Sequence, residues 1–311
     1  MLFDIGTVVL GLIILIGAGD LLVRGAVALA LRLGITPIVV SLTIVALGTS
    51  APELLIAVDS VLKDAPDLAL GNVVGSNIAN VLLVLGVPAL IAPLAPPGAE
   101  SHRTYVFMLA ASGLLIAMSY FGPIDLTVGI VFITFFFLFL YDTFQMAKST
   151  RVDSSEVDET AGKTSGYLIA AFLIAGLIGL PLGADLLVEG AVNLAADLGI
   201  SEAIIGLTIV AIGTSLPELA TSIMAAIRRE AGVVIGGIVG SNLFNILAIL
   251  GTASFFGQLP VPPGFLLVDY WVMLGASLAI IPTVFLGFRL SRRWGVLFLG
   301  AYGIYIASLV A

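Results

Sequence analysis

The chain has 311 residues, of which 60% are hydrophobic and only 10% charged. Soluble domains carry about 25% charged residues, so this composition excludes a soluble fold and makes a lipid bilayer the natural solvent. A formal net charge of −8 gives no footing for nucleic-acid binding. The lack of cysteine excludes disulfides and thiolate metal sites, and the single histidine, His102, cannot build a multi-histidine zinc site.

In chain order, the apolar runs predict ten spans, at about residues 5–31, 36–62, 67–93, 103–121 and 124–146, then 165–196, 201–227, 232–257, 267–288 and 293–310. The first run has no basic flank before it and reads as a spanning helix rather than a cleaved signal. Pro- and Gly-bearing connections at Ala95–Gly98 and Pro260–Gly264 suit turns. The extended polar segment Lys148–Ser165, with Asp153, Glu156, Asp158 and Glu159, reads as a solvated linker. The predicted organisation is therefore a first half over 1–147, a cytoplasmic linker over 148–164 and a second half over 165–311.

With ten spans, the connections alternate sides of the membrane. One side then collects Arg32, Arg103, Lys148, Arg151, Lys163, Arg228, Arg229, Arg289, Arg292 and Arg293, and the other only Lys63, with Arg24 inside the first span. Basic residues mark the cytoplasmic face, which puts both termini outside. The external connections carry Asp64, Asp67, Asp197, Glu202 and Asp269, an acidic surface that would attract cations but also serves plain solubility.

A repeat at a constant offset of 165 residues dominates the sequence. Asp20–Glu53 aligns without a gap on Asp185–Glu218, with 22 identities in 34 positions. Leu42–Glu53 (LTIVALGTSAPE) meets Leu207–Glu218 (LTIVAIGTSLPE), and Gly71–Gly86 meets Gly236–Gly251. Five spans separate the copies, an odd number, so the second copy lies upside down relative to the first. The predicted fold class is an all-α membrane protein of ten transmembrane helices, arranged as two inverted five-helix repeats. Such repeats are a transporter architecture with the substrate site near the midplane.

The repeated segments carry the polar chemistry. Glu53 and Glu218 stand in otherwise apolar spans, where a carboxylate costs at least about 2.5–3.5 kcal/mol on insertion scales. Each follows a proline, Pro52 or Pro217, which opens or kinks the helix and is expected to leave carbonyls near Ala46 and Ala211 without their usual donors. Thr49 and Ser50 precede Glu53 by four and three residues and share its face, as Thr214 and Ser215 do with Glu218. On the next span of each half, Ser76 and Asn80 are four apart, as are Ser241 and Asn245, while Asn77 and Asn242 point elsewhere and are suited to tying helices together. A bland reading also exists: protonated glutamates bonded between helices, a hydroxyl-lined kink, and glycines that serve packing alone. Hydroxyls, amides, carbonyls and two carboxylates converging on one place fit better the six to eight oxygens that a hard cation takes.

The paired GTSxPE and GSNxxN segments resemble the α-repeats of the sodium/calcium exchanger family, within the cation/calcium antiporter superfamily, in its prokaryotic and archaeal form. The resemblance implies a cluster of one calcium and up to three sodium sites. Carried onto this chain, its ligands are Ala46, Thr49, Ser50, Glu53, Ser76 and Asn80, with Ala211, Thr214, Ser215, Glu218, Ser241 and Asn245. It implies a secondary active antiporter rather than an enzyme, working by alternating access as the first and sixth helices slide over the rest. It further implies electrogenic exchange of three sodium ions per calcium ion. There is no resident cofactor; sodium, calcium and the bilayer are the partners, with no nucleic acid or protein partner implied, and the place is the cell membrane. Two departures bear on the branch: Asn245 stands where some prokaryotic and potassium-dependent relatives carry Asp, and Gly75 and Gly240 stand where the proton-coupled branch has an acid.

Proton coupling, or transport of manganese or cadmium, is the alternative. Gly17-Ala18-Gly19-Asp20 and Tyr141-Asp142 match the short motifs of intramembrane aspartyl proteases, but in reversed order and with Asp142 at a membrane edge. A cation channel could use the same oxygens, but inverted repeats with broken helices favour alternating access.

Overall fold

A computed structural model describes residues 1–98, 100–149, 164–198 and 211–310. The described residues are helical, with no strand beyond two isolated bridges. The helices are α1 (Leu2–Leu33), α2 (Pro37–Thr49), α3 (Ala51–Leu62), α4 (Pro66–Ile91), α5 (Ser101–Phe121), α6 (Leu126–Lys148), α7 (Gly166–Asp197), α8 (Leu216–Ile227), α9 (Ala231–Ala253), α10 (Phe265–Phe285) and α11 (Arg292–Val310). Seven of them are long and apolar enough to cross a bilayer, or eight when α2 and α3 count as one bent span. The predicted span 201–227 begins outside the described residues, and so does most of the predicted linker. Of the linker, Lys148 ends the α6 helix, and Thr164 and Ser165 lead into α7.

Sequence signals set the helix ends. Gly34 takes a left-handed conformation (φ 66°), and its N–H closes α1 on the carbonyls of Ala30 and Leu31. Pro37, Pro52, Pro66 and Pro217 sit in the first turns of their helices, where the missing N–H has no intrahelical acceptor to lose.

The molecule divides into a helix pair and a bundle. One apolar cluster joins α1 to α7 through Leu15, Ala18, Leu22, Leu180 and Ala184 and takes in Val40 and Val45 of α2, and a second, larger one fills the bundle made by α2 to α6 and α8 to α11. The pair is antiparallel and very close. A Cβ built on Gly11 would fall 2.6 Å from the Leu187 nitrogen, one on Gly176 2.6 Å from the Leu22 Cβ, and one on Gly183 2.8 Å from the Leu15 nitrogen. In lipid no hydrophobic force drives helices together, so backbone approach over glycine is what such a pair relies on.

The 165-residue offset survives as a two-fold relation of contacts. Leu94 and Leu290 exchange backbone hydrogen bonds of 3.0 and 3.1 Å, and Ile124 and Leu259 exchange bonds of 2.9 and 3.0 Å. Swapping the halves carries one bridge onto the other, within one residue. The two non-glycine residues with positive φ, Asp64 and Arg229, are also 165 apart among the described residues. Tyr105 and Tyr270, again 165 apart, are both fully buried, and their hydroxyls meet the Ser277 carbonyl and the Ser119 hydroxyl.

The close α1–α7 packing yields a direct test. Ala18 and Gly179 face each other, with 2.8 Å between the Ala18 Cβ and a Cβ built at Gly179. In this cysteine-free chain, Ala18→Cys with Gly179→Cys is expected to cross-link on mild oxidation once the seam opens by the ångström or so that a disulfide's Cβ–Cβ spacing of about 3.5–4.5 Å requires. The two halves, cut by a protease site placed in the 150–163 segment, then migrate together until reduced. Gly183→Val, by contrast, overpacks the same seam and is expected to cost about 1–3 kcal/mol, read as a lower unfolding temperature in detergent.

Candidate functional site

The polar core lies where the two halves meet. α2 and α3 bend by 43° at their junction. Ser50 is the hinge, with φ −90° and ψ 6°, and Ser215 repeats it with φ −90° and ψ 2°. The opening falls one turn away from where the sequence placed it. The Ala46 carbonyl keeps a donor, since Ser50 N–H reaches it at 3.0 Å and the Thr49 hydroxyl at 3.4 Å. The N–H that Pro52 lacks would have served Gly48, four residues earlier. In the second half Ser215 N–H turns instead to Ile212, at 3.0 Å, and the hinges differ in that respect.

Glu53 and Glu218 project from the first turns of α3 and α8 and are 1% and 5% exposed. The Ser50 hydroxyl donates to Glu218 Oε1 at 3.2 Å, a side-chain bond that crosses from one half to the other. Helix N-termini carry partial positive charge, which makes the bases of α3 and α8 favourable places for carboxylates.

The next layer consists of four asparagines in a two-fold network. Asn80 donates its amide to Asn242 Oδ1, and Asn245 donates to Asn77 Oδ1, both at 3.0 Å. Asn77 and Asn242 each donate to the other's backbone carbonyl at 3.4 Å and to a methionine sulfur, Met273 and Met108 respectively, at 3.8 Å. Every member of this set has its counterpart 165 residues away. With their amide nitrogens tied, Asn80 and Asn245 turn their oxygens inward. Backbone irregularity accompanies them: Phe244–Ile249 is π-helical, and Val84 N–H reaches back five residues to Ala79. Such widened turns are frequent at functional sites.

Nine buried side-chain oxygens have no hydrogen-bond partner among the described residues; Thr36 Oγ1, Ser101 Oγ and Ser277 Oγ lie outside the set named from sequence, and the other six belong to it: Glu53 Oε2, Glu218 Oε2, Asn80 Oδ1, Asn245 Oδ1, Ser215 Oγ and Ser241 Oγ. A buried oxygen without a partner costs roughly 1–3 kcal/mol, so six together mark a place built to receive a donor or a cation. Thr49, Ser50 and Ser76 are also buried, while Thr214 is half-buried on the wall of a cleft. That cleft, of about 400 Å³, is lined by Pro52, Ile56, Asp185, Glu189, Thr214 and Pro217 among others, and so reaches the residues that precede the two glutamates in sequence. No group of three or more acidic, cysteine or histidine side chains suited to a metal ion occurs among the described residues. Two carboxylates among neutral oxygens therefore characterise the centre. The Ala211 side chain and residues 199–210 lie outside the described part, as does the π-helical counterpart expected for Ser41–Val45.

Sequence reasoning missed the role of Arg228. It bonds through Nε to Asp20 Oδ1 at 2.6 Å, with Arg24 Nε 2.8 Å from Asp20 Oδ2. The aspartates of the protease-like motifs are both engaged by arginines, Asp20 here and Asp142 with Arg103.

A multi-span helical membrane protein with a pseudo-two-fold polar core defines the class as a membrane transporter. The family model described as sodium/calcium exchanger protein matches residues 3–144 and 168–311, and the chain belongs to that family. The chain is 31% identical to the sodium/calcium exchanger MaX1 of Methanosarcina acetivorans over 96% of both chains. It is 36% identical to the putative antiporter CaxA of Alkalimonas amylolytica, over 88% of this chain and 87% of that one. Among solved structures, the sodium–calcium exchanger NCX_Mj soaked with sodium and strontium superposes with a TM-score of 0.84 at 33% identity, over 98% of this chain and 97% of that one.

The asparagine network makes a testable statement. Asn77→Ala removes the acceptor that orients Asn245 and is expected to weaken cation binding about tenfold, as loss of an orienting partner does in metal sites. Asn245→Ala should do the same, and the double variant should be little worse than either single one, because both act through one oxygen. Titration calorimetry with calcium checks the three values.

Proposed function

We propose that this protein is an antiporter that exchanges sodium for calcium across the cell membrane by alternating access. The observation that carries this reading is the set of six unpartnered buried oxygens, two of them on glutamates, at the meeting point of two repeated halves. Ala46, Thr49, Ser50, Glu53, Ser76 and Asn80, with Ala211, Thr214, Ser215, Glu218, Ser241 and Asn245, are the proposed ligands. Carbonyls, hydroxyls, amides and carboxylates are the hard oxygen donors that calcium and sodium prefer.

The proposed fold in the membrane is ten helices in two inverted repeats, one over 1–147 and one over 165–311, joined by a cytoplasmic linker. Both termini are external. Several contacts support this parity, because each joins segments assigned to the same side: Met1 with Asp197, Leu94 with Leu290, Ile124 with Leu259, Arg103 with Asp142 and Asp269 with Tyr305. On this assignment the cleft at Asp185 opens outward.

Charge explains why exchange is obligatory. With both glutamates ionised, the centre carries two negative charges, and moving them uncompensated across an apolar barrier is very unfavourable. One calcium or two sodium ions neutralise it, and a third sodium ion would leave one charge to move with each cycle. Electrogenic exchange at three sodium per calcium is what the family resemblance implies, and it is compatible with this charge count. Proton coupling is less well supported, because an acid at Gly240 meets a crowded backbone: a Cβ there would lie 2.7 Å from the Ala46 Cβ and 2.8 Å from the Leu42 carbonyl. Transport of manganese or cadmium would use the same oxygens.

Purified protein in sodium-loaded proteoliposomes is expected to take up calcium-45 only with an outward sodium gradient, and faster when the interior is made positive, because net positive charge leaves with sodium. Uptake driven by a proton gradient alone would replace sodium by protons in this scheme. Glu53→Gln and Glu218→Gln are each expected to reduce uptake by at least about a hundredfold while the protein still elutes as a folded species. Wild-type rates in either variant would remove these glutamates from the site.

A further inference from the structure

The α1–α7 pair sits asymmetrically on the bundle. α1 lies hard against α8: a Cβ built on Gly19 would fall 3.1 Å from the Ala220 backbone. Next to that contact, Asp20 holds Arg228, at the end of α8, through both its Nε (2.6 Å) and its Nη2, and holds Arg24 as well. The two-fold-related residues on α7 are Ala184, Asp185 and Glu189, and they line the open cleft instead. Lys63, the counterpart of Arg228, is bonded to Asp59 at 2.7 Å.

We infer that Asp20 and Arg228 are a latch that holds α1 against α8 and seals the polar centre from that side, and that Asp185 and Lys63 form its weaker counterpart when α7 closes on α3. The inference rests on the exchanger reading. The halves differ at the latch in two ways. On the Asp20 side the facing charges are Asp20, Arg24 and Arg228, with Glu230 sharing a cleft with both arginines, so two acids meet two bases. On the Asp185 side they are Asp185, Glu189, Lys63 and Asp59, three acids against one base, because Glu189 stands where Arg24 does and Asp59 where Met224 does. The second difference is steric, since Ala184 occupies the position of Gly19 and its methyl keeps α7 from approaching α3 as closely as α1 approaches α8. Asp20 is a partly buried acid, with 18% of its side chain exposed, and removing one partner of such a pair leaves the other charge stranded. Both differences bias the protein toward the form that is open at Asp185. Asp20, Arg228, Asp185 and Lys63 are thus positioning residues, which act on cations only through the helices they hold.

The chain has no cysteine, so single-cysteine reporters test this without background. Ile56 lines the open cleft, and Thr221, 165 residues on, is buried on α8 next to Ala220, whose backbone meets α1 at Gly19. Ile56→Cys should react with a membrane-impermeant thiol reagent from the side of the cleft, and Thr221→Cys should be protected. Adding Asp20→Asn or Arg228→Ala is expected to raise Thr221→Cys labelling from the opposite side by at least about tenfold, while Arg228→Lys, which keeps the charge, restores protection. Glu189→Arg, at an exposed position, supplies the missing base and is expected to lower Ile56→Cys labelling and raise Thr221→Cys labelling. If Asp20→Asn, Arg228→Ala and Glu189→Arg all leave the two labelling rates unchanged in a protein that still exchanges sodium for calcium, the latch is refuted and the exchanger reading stands. Loss of sodium-driven calcium uptake in the unmutated protein would overturn the exchanger reading instead.

Discussion

Two carboxylates in the middle of an apolar bundle are the constraint on which the structure depends. Glu53 and Glu218 are almost entirely shielded from solvent, and each must be accommodated by something other than water. Their places on the first turns of α3 and α8 supply partial positive charge, and the hinges at Ser50 and Ser215 allow those turns to start inside the bundle. The proline before each glutamate accompanies the hinge, so the costly charge and the backbone break that accommodates it come from one four-residue unit, Ser50–Glu53 and Ser215–Glu218, used twice.

The asparagines extend the same economy of means. Asn77 and Asn242 hold the amide nitrogens of Asn245 and Asn80, and the free oxygens of the latter face the centre as a consequence. Fixing neutral donors by side chains on the opposite half ties the site's geometry to the contact between halves. A centre of this kind is rigid only while the bundle is assembled. The apolar cluster at the glycine-thin seam of the α1–α7 pair also takes in Val40 and Val45 of α2, so the pair is packed on the rest of the molecule as well as on itself.

Much of this was legible in the sequence. The bilayer as solvent follows from composition, and the constant offset between repeated segments locates the polar core. Every one of the six unpartnered buried oxygens of the centre belongs to a residue named from motif spacing, because a polar side chain recurring in an apolar span has few explanations other than function. The local backbone was less legible. The Ala46 carbonyl keeps its donors, since proline affects the carbonyl four residues before it, and the widened turns at Phe244–Ile249 have no composition signal.

The sequence by itself determined the membrane, the repeat, the prolines that interrupt the helices and the chemical types at the centre, since each depends on residue identity or spacing along the chain. Only the tertiary structure decided which side of the molecule is open. Asp20 and Asp185 look equivalent in the repeat, yet one is held by Arg228 from another helix and the other lines a cleft. The physical reason is that a pairing across 208 positions of chain is set by how helices pack, and helix packing breaks the symmetry that the duplicated sequence retains.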